Sequence, residues 1–408
     1  MPSNKNFTLG ALALAAMLPL HAAHAMTGPT AIKIDGGPLG PLELSGGADG
    51  MFYGLTGTQR YGDSNGLGAP GTTNAGPKAT GAELLNGLIE LQKTTGILQA
   101  TLEVGSTNFL YLGMAPTQSS IQSYSTGPLY AGYITLAPTG LPVTISVGQM
   151  TGLEGYESSQ DYNNFNIFLS QAPYDETGQG RGVTLTYAAG PVNASVFFCD
   201  GYDTGVFNSL QALFAYTINS TNSINFYYGG NLGRTGLNAN TYGSGALPYD
   251  ASHVGMAPEF ANSQMVGVYY EYTAGNLTLV PEVQYQYAKA DSAVSIHRGM
   301  GNFVAVVLAD YDFGSSPYSV GAWAEYFNQH ESAADAQNGT YWFYGPNASG
   351  EAVSITPTWQ HKDLFMRADL GALLLNQTSA YGLSRYGYGN QHKDAFQLSG
   401  LLEAGLVF

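Results

Sequence analysis

Charge is what this chain has least of. Only 10% of its 408 residues are Asp, Glu, Lys or Arg, where a soluble globular protein carries roughly 25%. A conventional charged surface therefore cannot enclose it. Bases are the scarcer sign, with 13 Lys and Arg against 29 Asp and Glu and a formal net charge of −16. That excludes nucleic acid as a partner, because phosphates need a basic face, and it draws cations toward the protein. Cysteine is nearly absent as well. Cys199 stands alone, so no intrachain disulfide supports the fold. Long apolar runs are missing after the first 25 residues. The best candidates, "FVAVVLA" from Phe303 and "LGALLL" from Leu370, fall far short of the ~20 residues of a spanning helix.

Signatures of catalysis and of metal binding are also lacking. His253, His297, His330, His361 and His392 fall in turns and loops, with no strand-borne Ser at alternate spacing to pair with. No His/Cys/Asp cluster has ligand spacing. "GGNLGRTG" at 229–236 has neither the Lys nor the strand–helix setting of a phosphate loop. The expectation is no enzyme, no catalytic residue, no cofactor and no metal.

What is present begins with an export signal. Lys5 precedes the apolar run "LGALALAAMLPL", and "AHA" at 23–25 supplies the small residues of a cleavage site. Residues 1–25 read as a signal peptide, so Met26 starts the mature chain. Residues 26–40 read as a short periplasmic segment.

Beyond it, period-two alternation replaces helical periodicity. Sixteen segments of about ten residues are expected as strands: 41–54, 82–93, 96–106, 128–137, 141–150, 178–189, 191–201, 207–218, 221–232, 261–273, 276–289, 299–312, 316–330, 349–361, 362–375 and 394–408. "KTTG", "PTGL", "AAGP", "NSTN", "TAGN", "GSSP" and a turn near "HKD" are tight-turn sequences of hairpin length. They alternate with long connections, among them 55–81, 107–127, 151–177, 233–260 and 331–348. In an antiparallel meander, alternate connections fall at opposite ends. Short turns at one end and long loops at the other is the layout of an outer-membrane barrel. The fold class expected is all-β, a transmembrane antiparallel up-and-down β-barrel of about 16 strands (14–18) spanning 41–408.

One register of each strand is free of charge: Leu42, Leu44, Ala48, Phe52; Leu85, Ile89, Leu91; Val192, Ala194, Val196, Phe198; Leu364, Met366, Ala368, Leu370. A charge facing lipid near the midplane costs about 2–4 kcal/mol, so these stripes face lipid. The opposite register holds the pore-lining candidates Glu43, Asp49, Glu90, Glu103, Glu271, Glu282, Glu325, Arg367, Asp369 and Glu403. Aromatics mark the stripe ends, Phe52, Tyr287 and Phe396 at one rim, Tyr187, Tyr216 and Tyr311 at the other, as interfacial girdles do. Pro281 and Pro357 lie inside outward stripes and read as bulges or near-rim positions.

The long connection 151–177 has too many apolar residues for a solvated loop. Folded into the lumen it narrows the channel, with Glu154, Tyr156, Glu157 and Asp161 as constriction candidates and Arg181 placed to pair with its carboxylates. The Gly/Tyr-rich 376–393 and 233–260 read as external.

"GQMTGLEGYESSQDYNNFNIFLSQAPYDETGQGRGVTLTY" at 148–187, followed by "FFCDGYD" at 197–203, resembles beta-barrel porin family 2 of Gram-negative outer membranes. Gly155-Tyr156-Glu157 matches that family's element. Gln149 stands where it has a basic residue, and Asp200-Gly201-Tyr202 replaces its Asn-Gly-Trp-like turn. The resemblance implies passive diffusion of small hydrophilic solutes. Nine inward acids against Arg367 predict a preference for cations. Outer-membrane lipid is the surrounding partner, and general porins suggest a homotrimer. The alternating end, with Ala404, Leu406 and Phe408, resembles the signal read by barrel insertion machinery. A non-conducting structural or adhesin-type barrel is the rival reading, with an outer-membrane hydrolase a distant third.

Overall fold

A computed structural model describes residues 26, 31–58, 79–116, 129–201, 207–232, 263–291, 296–389 and 391–408. The signal peptide and the connection 233–260 lie outside them. The strands are β1 (Ile32–Asp35), β2 (Pro41–Leu55), β3 (Thr80–Lys93), β4 (Leu98–Thr107), β5 (Leu129–Leu136), β6 (Val143–Thr151), β7 (Gln179–Ala189), β8 (Val192–Cys199), β9 (Ser209–Asn219), β10 (Asn222–Asn231), β11 (Ser263–Ala274), β12 (Leu277–Ala288), β13 (Met300–Asp312), β14 (Tyr318–His330), β15 (Ser349–His361), β16 (Leu364–Leu375) and β17 (Phe396–Val407).

From β2 to β17 each strand pairs antiparallel with the next, and β17 pairs back onto β2. The result is a closed sixteen-stranded barrel plus one extra strand. Closure satisfies every wall strand on both edges, which lipid requires. Alternation explains why these segments are strands. Along β15 buried and exposed residues alternate, with Val353 and Ile355 outward and Ser354 and Thr356 inward. Phe52, Tyr287 and Phe396 are exposed near the long-loop end, and Tyr187, Tyr216 and Tyr311 near the short-turn end.

Four details differ from the expectations. The wall has a bulge where Asp49 pairs with Asn86 but Gly50 pairs with Leu84. Leu85 is the extra residue, so it turns inward and is buried while Leu84 takes the lipid-facing place. A bulge between two adjacent leucines leaves no trace in the apolar pattern. Second, the alternating end is expected from sequence to close on the first strand near Leu42 and Leu44, whereas β17 closes on residues 47–55 of β2, with Phe408 exchanging backbone hydrogen bonds with Gly46. Leu42 and Leu44 instead pair with β1, which continues the line of β17 along the same edge. Third, the two prolines are neither bulged nor at a rim. The β11–β12 ladder skips from Tyr269↔Glu282 to Tyr272↔Leu279 at Pro281, and the β15–β16 ladder skips from Ile355↔Leu370 to Thr358↔Arg367 at Pro357. Register is kept on both sides, so each proline costs local pairing and nothing more. Fourth, His330 and His361 end strands β14 and β15.

Part of the inside of this barrel is packed. Inward Tyr53, Tyr227, Tyr269, Val306, Trp323, Phe327, Leu373 and Leu401 form one buried cluster with residues from the connections, including Leu112, Phe165, Ile167, Phe168, Tyr344, Tyr386 and Tyr388. Tyr386 and Tyr388, in the stretch expected to be external, are thus covered rather than solvated.

Candidate functional site: the barrel interior

The segment between β6 and β7, 152–178, runs inside the wall and hydrogen-bonds to side chains far away in sequence. Asp369 on β16 is its main anchor. One carboxylate oxygen accepts the backbone N–H groups of Ile167 at 3.0 Å and Phe168 at 2.8 Å, and Thr356 Oγ1 at 2.8 Å; the other accepts Ser354 Oγ at 2.5 Å. Glu325 on β14 accepts Gln171 N–H at 2.5 Å. Trp323 Nε1 donates to Phe168 O at 2.8 Å, and Gln284 Nε2 to Ala172 O at 3.1 Å. Asn166 donates to Ser354 and Thr356. Backbone donors on buried carboxylates are strong bonds, and each leaves an orphan if broken.

Two glycines show how closely chain meets wall. A Cβ on inward-facing Gly321 of β14 would overlap the carbonyl of Phe165, and one on Gly371 of β16 would overlap the Leu112 side chain. Leu112 belongs to a second in-folded stretch, 108–116. There Leu169 N–H donates to Leu110 O at 2.7 Å, and Tyr344 Oη to Leu112 O at 3.0 Å. The sequence reading missed this stretch; "FLYLGM" at 109–114 was the available signal.

The sole inward base among the candidates, Arg367, binds the segment as well. Its Nη1 meets Asp161 Oδ2 at 2.9 Å and Asp161 O at 3.1 Å, and its Nη2 meets Asn164 O at 3.1 Å. Glu403 lies 3.6 Å from the same Nη1. Asp49 accepts from both the backbone and the amide of Asn86, whose Nδ2 also donates to Asp161. One ligand atom each from Asp49, Asp161 and Glu403 lie within 4.8 Å of one another. Sequence spacing offers no such group, because the three lie far apart along the chain.

Arg181 departs from its expected role. It pairs with Asp200 across the β7–β8 hairpin, Nη2 to Oδ2 at 2.7 Å, rather than with Glu154, Glu157 or Asp161. Those acids find partners nearer home. Glu154 accepts from Thr177 N–H and hydroxyl at 2.8 and 2.9 Å, and Glu157 accepts from Ser170. Burial raises both carboxyls from the usual 4.5 to about 7, against the lowering effect of those bonds. Tyr156 is buried with its ring 5.5 Å from that of Tyr269 on β11. Asp161 is buried in the short turn Asp161–Asn163.

The ten inward-register candidates divide by environment. Asp49, Glu103, Glu282, Glu325, Arg367, Asp369 and Glu403 are buried, whereas Glu43, Glu90 and Glu271 are partly open. Glu103 takes Gln160 Nε2 at 3.2 Å and Glu282 takes Tyr227 Oη at 2.6 Å. Lys33 of β1 lies directly across from Glu43. At the other end of the chain, Ala404 and Leu406 lie on the lipid-facing side of β17.

The fold has many solved counterparts. OmpT of Vibrio cholerae is 12% identical, with a TM-score of 0.53 over 93% of this chain and 99% of its own. An anion-selective porin from Comamonas acidovorans is 13% identical, with a TM-score of 0.52 over 90% and 99%. OmpF of Salmonella typhi, in complex with daunomycin, is 12% identical, with a TM-score of 0.52 over 92% and 100%. At such identities the likeness is one of fold. No curated protein matches the chain. Residues 41–408 match the family described as putative beta-barrel porin-2, OmpL-like. The chain belongs to that family and is a porin-type barrel of the Gram-negative outer membrane.

Proposed function

We propose that this barrel is a water-filled channel for passive diffusion of small hydrophilic solutes, that it favours cations, and that 152–178 is its constriction. The observation that carries the reading is the docking of 152–178 on inward polar side chains of a wall whose outer face is apolar. A structural anchor needs no narrowed interior. Cation preference is supported by the imbalance of inward charge. Arg367 is committed to Asp161, while Glu90 and Glu271 stay partly open. Low-dielectric walls focus such a field. No catalytic role is proposed for any residue. A trimer form is known for Vibrio cholerae OmpT, and a homotrimer is the assembly we propose here.

Purified protein in a planar bilayer tests the function. Stepwise conductance, with a reversal potential of cation sign under a salt gradient, is expected. Absence of steps favours the structural barrel, and an anionic reversal potential contradicts the charge argument.

A further inference from the structure

Met26 also lies inside the barrel, at the short-turn end. It is 3% exposed and clusters with Phe365 and Val407, inward from β16 and β17, and with Tyr162 of the in-folded segment. These neighbours lead directly to the carboxylates. Tyr162 follows Asp161 in the chain. Phe365 shares the inward face of β16 with Arg367, and a Cβ on Gly405 would strike both the Phe365 ring and Asp49.

Charge in this cluster does not balance. Asp49, Asp161 and Glu403 converge, and one guanidinium answers them. Arg367 spends its terminal nitrogens on Asp161 and on the Asn164 carbonyl. Asp49 is held by Asn86. Glu403, 2% exposed, has no hydrogen-bond donor on either carboxylate oxygen. A buried carboxylate facing two others calls for a proton or a further cation.

The sequence supplies one. Hydrolysis of the Ala25–Met26 bond adds water across the peptide, leaving a carboxylate on Ala25 and an α-ammonium on Met26. We propose that this processed N-terminus is the missing counter-cation. The Met26 ammonium sits in the short-turn mouth beside Glu403, Asp161 and Asp49, and its side chain seals against Phe365, Val407 and Tyr162. Export itself therefore completes the ion cluster. The new terminus tethers 152–178 through Asp161 and Tyr162, independently of Asp369. The inference rests on cleavage at that bond and not on which solute crosses.

The test has two stages. The intact mass and N-terminal peptide of protein purified from outer membranes give its first residue. Any residue other than Met26 overturns the proposal and leaves the channel reading untouched. Next, acylation of the α-amine at neutral pH is timed in the folded barrel and in the denatured chain. Folded protein should label slower, on the order of tenfold, and Glu403→Gln should regain most of the lost rate. A version with Ser-Gly-Ser-Gly inserted between Ala25 and Met26 should label as fast as denatured chain. Heat-modifiable gel migration confirms that each variant is folded. Equal rates in folded and denatured protein overturn the proposal, as does protection that Glu403→Gln leaves intact. One-to-one calcium binding that Glu403→Gln abolishes, with the amine freely labelled, gives the cluster to a metal and also overturns it.

Discussion

The inner wall from β12 to β17 and the inner wall from β5 to β8 enclose the same space with different chemistry. The first offers long or charged groups, Gln284, Trp323, Glu325, Arg367 and Asp369, and each bonds to the segment 152–178. The second offers short hydroxyls that satisfy one another across neighbouring strands, Thr135 with Ser146 at 2.8 Å and Thr186 with Ser195 at 2.9 Å. Short, mutually bonded hydroxyls give a loop little to dock on, whereas buried carboxylates and an indole N–H demand partners. The segment 152–178 is thus docked where the inward groups are long or charged.

Removing groups from each arc should break or sharpen that contrast. The largest effect is expected at Arg367. Arg367→Met removes the guanidinium held between buried Asp161 and Glu403, and should cost about 3–5 kcal/mol, read as a lower melting temperature of the folded barrel. Asp369→Ala comes next. It orphans two backbone N–H groups of the segment, at about 1–3 kcal/mol for each group left buried. Here the readout is larger single-channel conductance, since the barrel itself stays closed. Gly321→Ala drives a methyl into the Phe165 carbonyl and should cost about 1–3 kcal/mol of docking, with a similar but smaller rise in conductance. On the opposite arc, Thr186→Val removes one hydroxyl of a pair and should cost about 1 kcal/mol or less with conductance unchanged.

A pH series probes the docking without mutation. Glu154 and Glu157 titrate near 7 when buried in the docked segment, against the usual 4.5. The docked state therefore holds protons that the undocked state releases. Docking is strongest below about pH 4.5 and weakens as pH rises through about 7. Conductance should climb between those limits, and a climb on acidification would contradict the assignment.

The strands were legible because lipid on one side and polar contents on the other impose strict alternation. For the same reason Asp369, Glu325 and Arg367 could be placed inward from sequence. Their partners could not. Whether Asp369 meets water or the backbone of Ile167 depends on closure of the ring, which brings residues about 200 positions apart together. Leu85 shows the local limit. Adjacent leucines carry no mark of a bulge, so the facing of one residue inverted while the strand itself was right. Arg181 shows the other. Proximity in sequence favoured the segment's acids, but a hairpin register set it opposite Asp200.

The ratio of single-channel conductance in Asp369→Ala to that of the native protein tests the central claim most directly. A ratio clearly above one is expected, with Thr186→Val at one in the same bilayers. A ratio of one or below for Asp369→Ala would contradict that claim, because the segment then would not set the width of the channel.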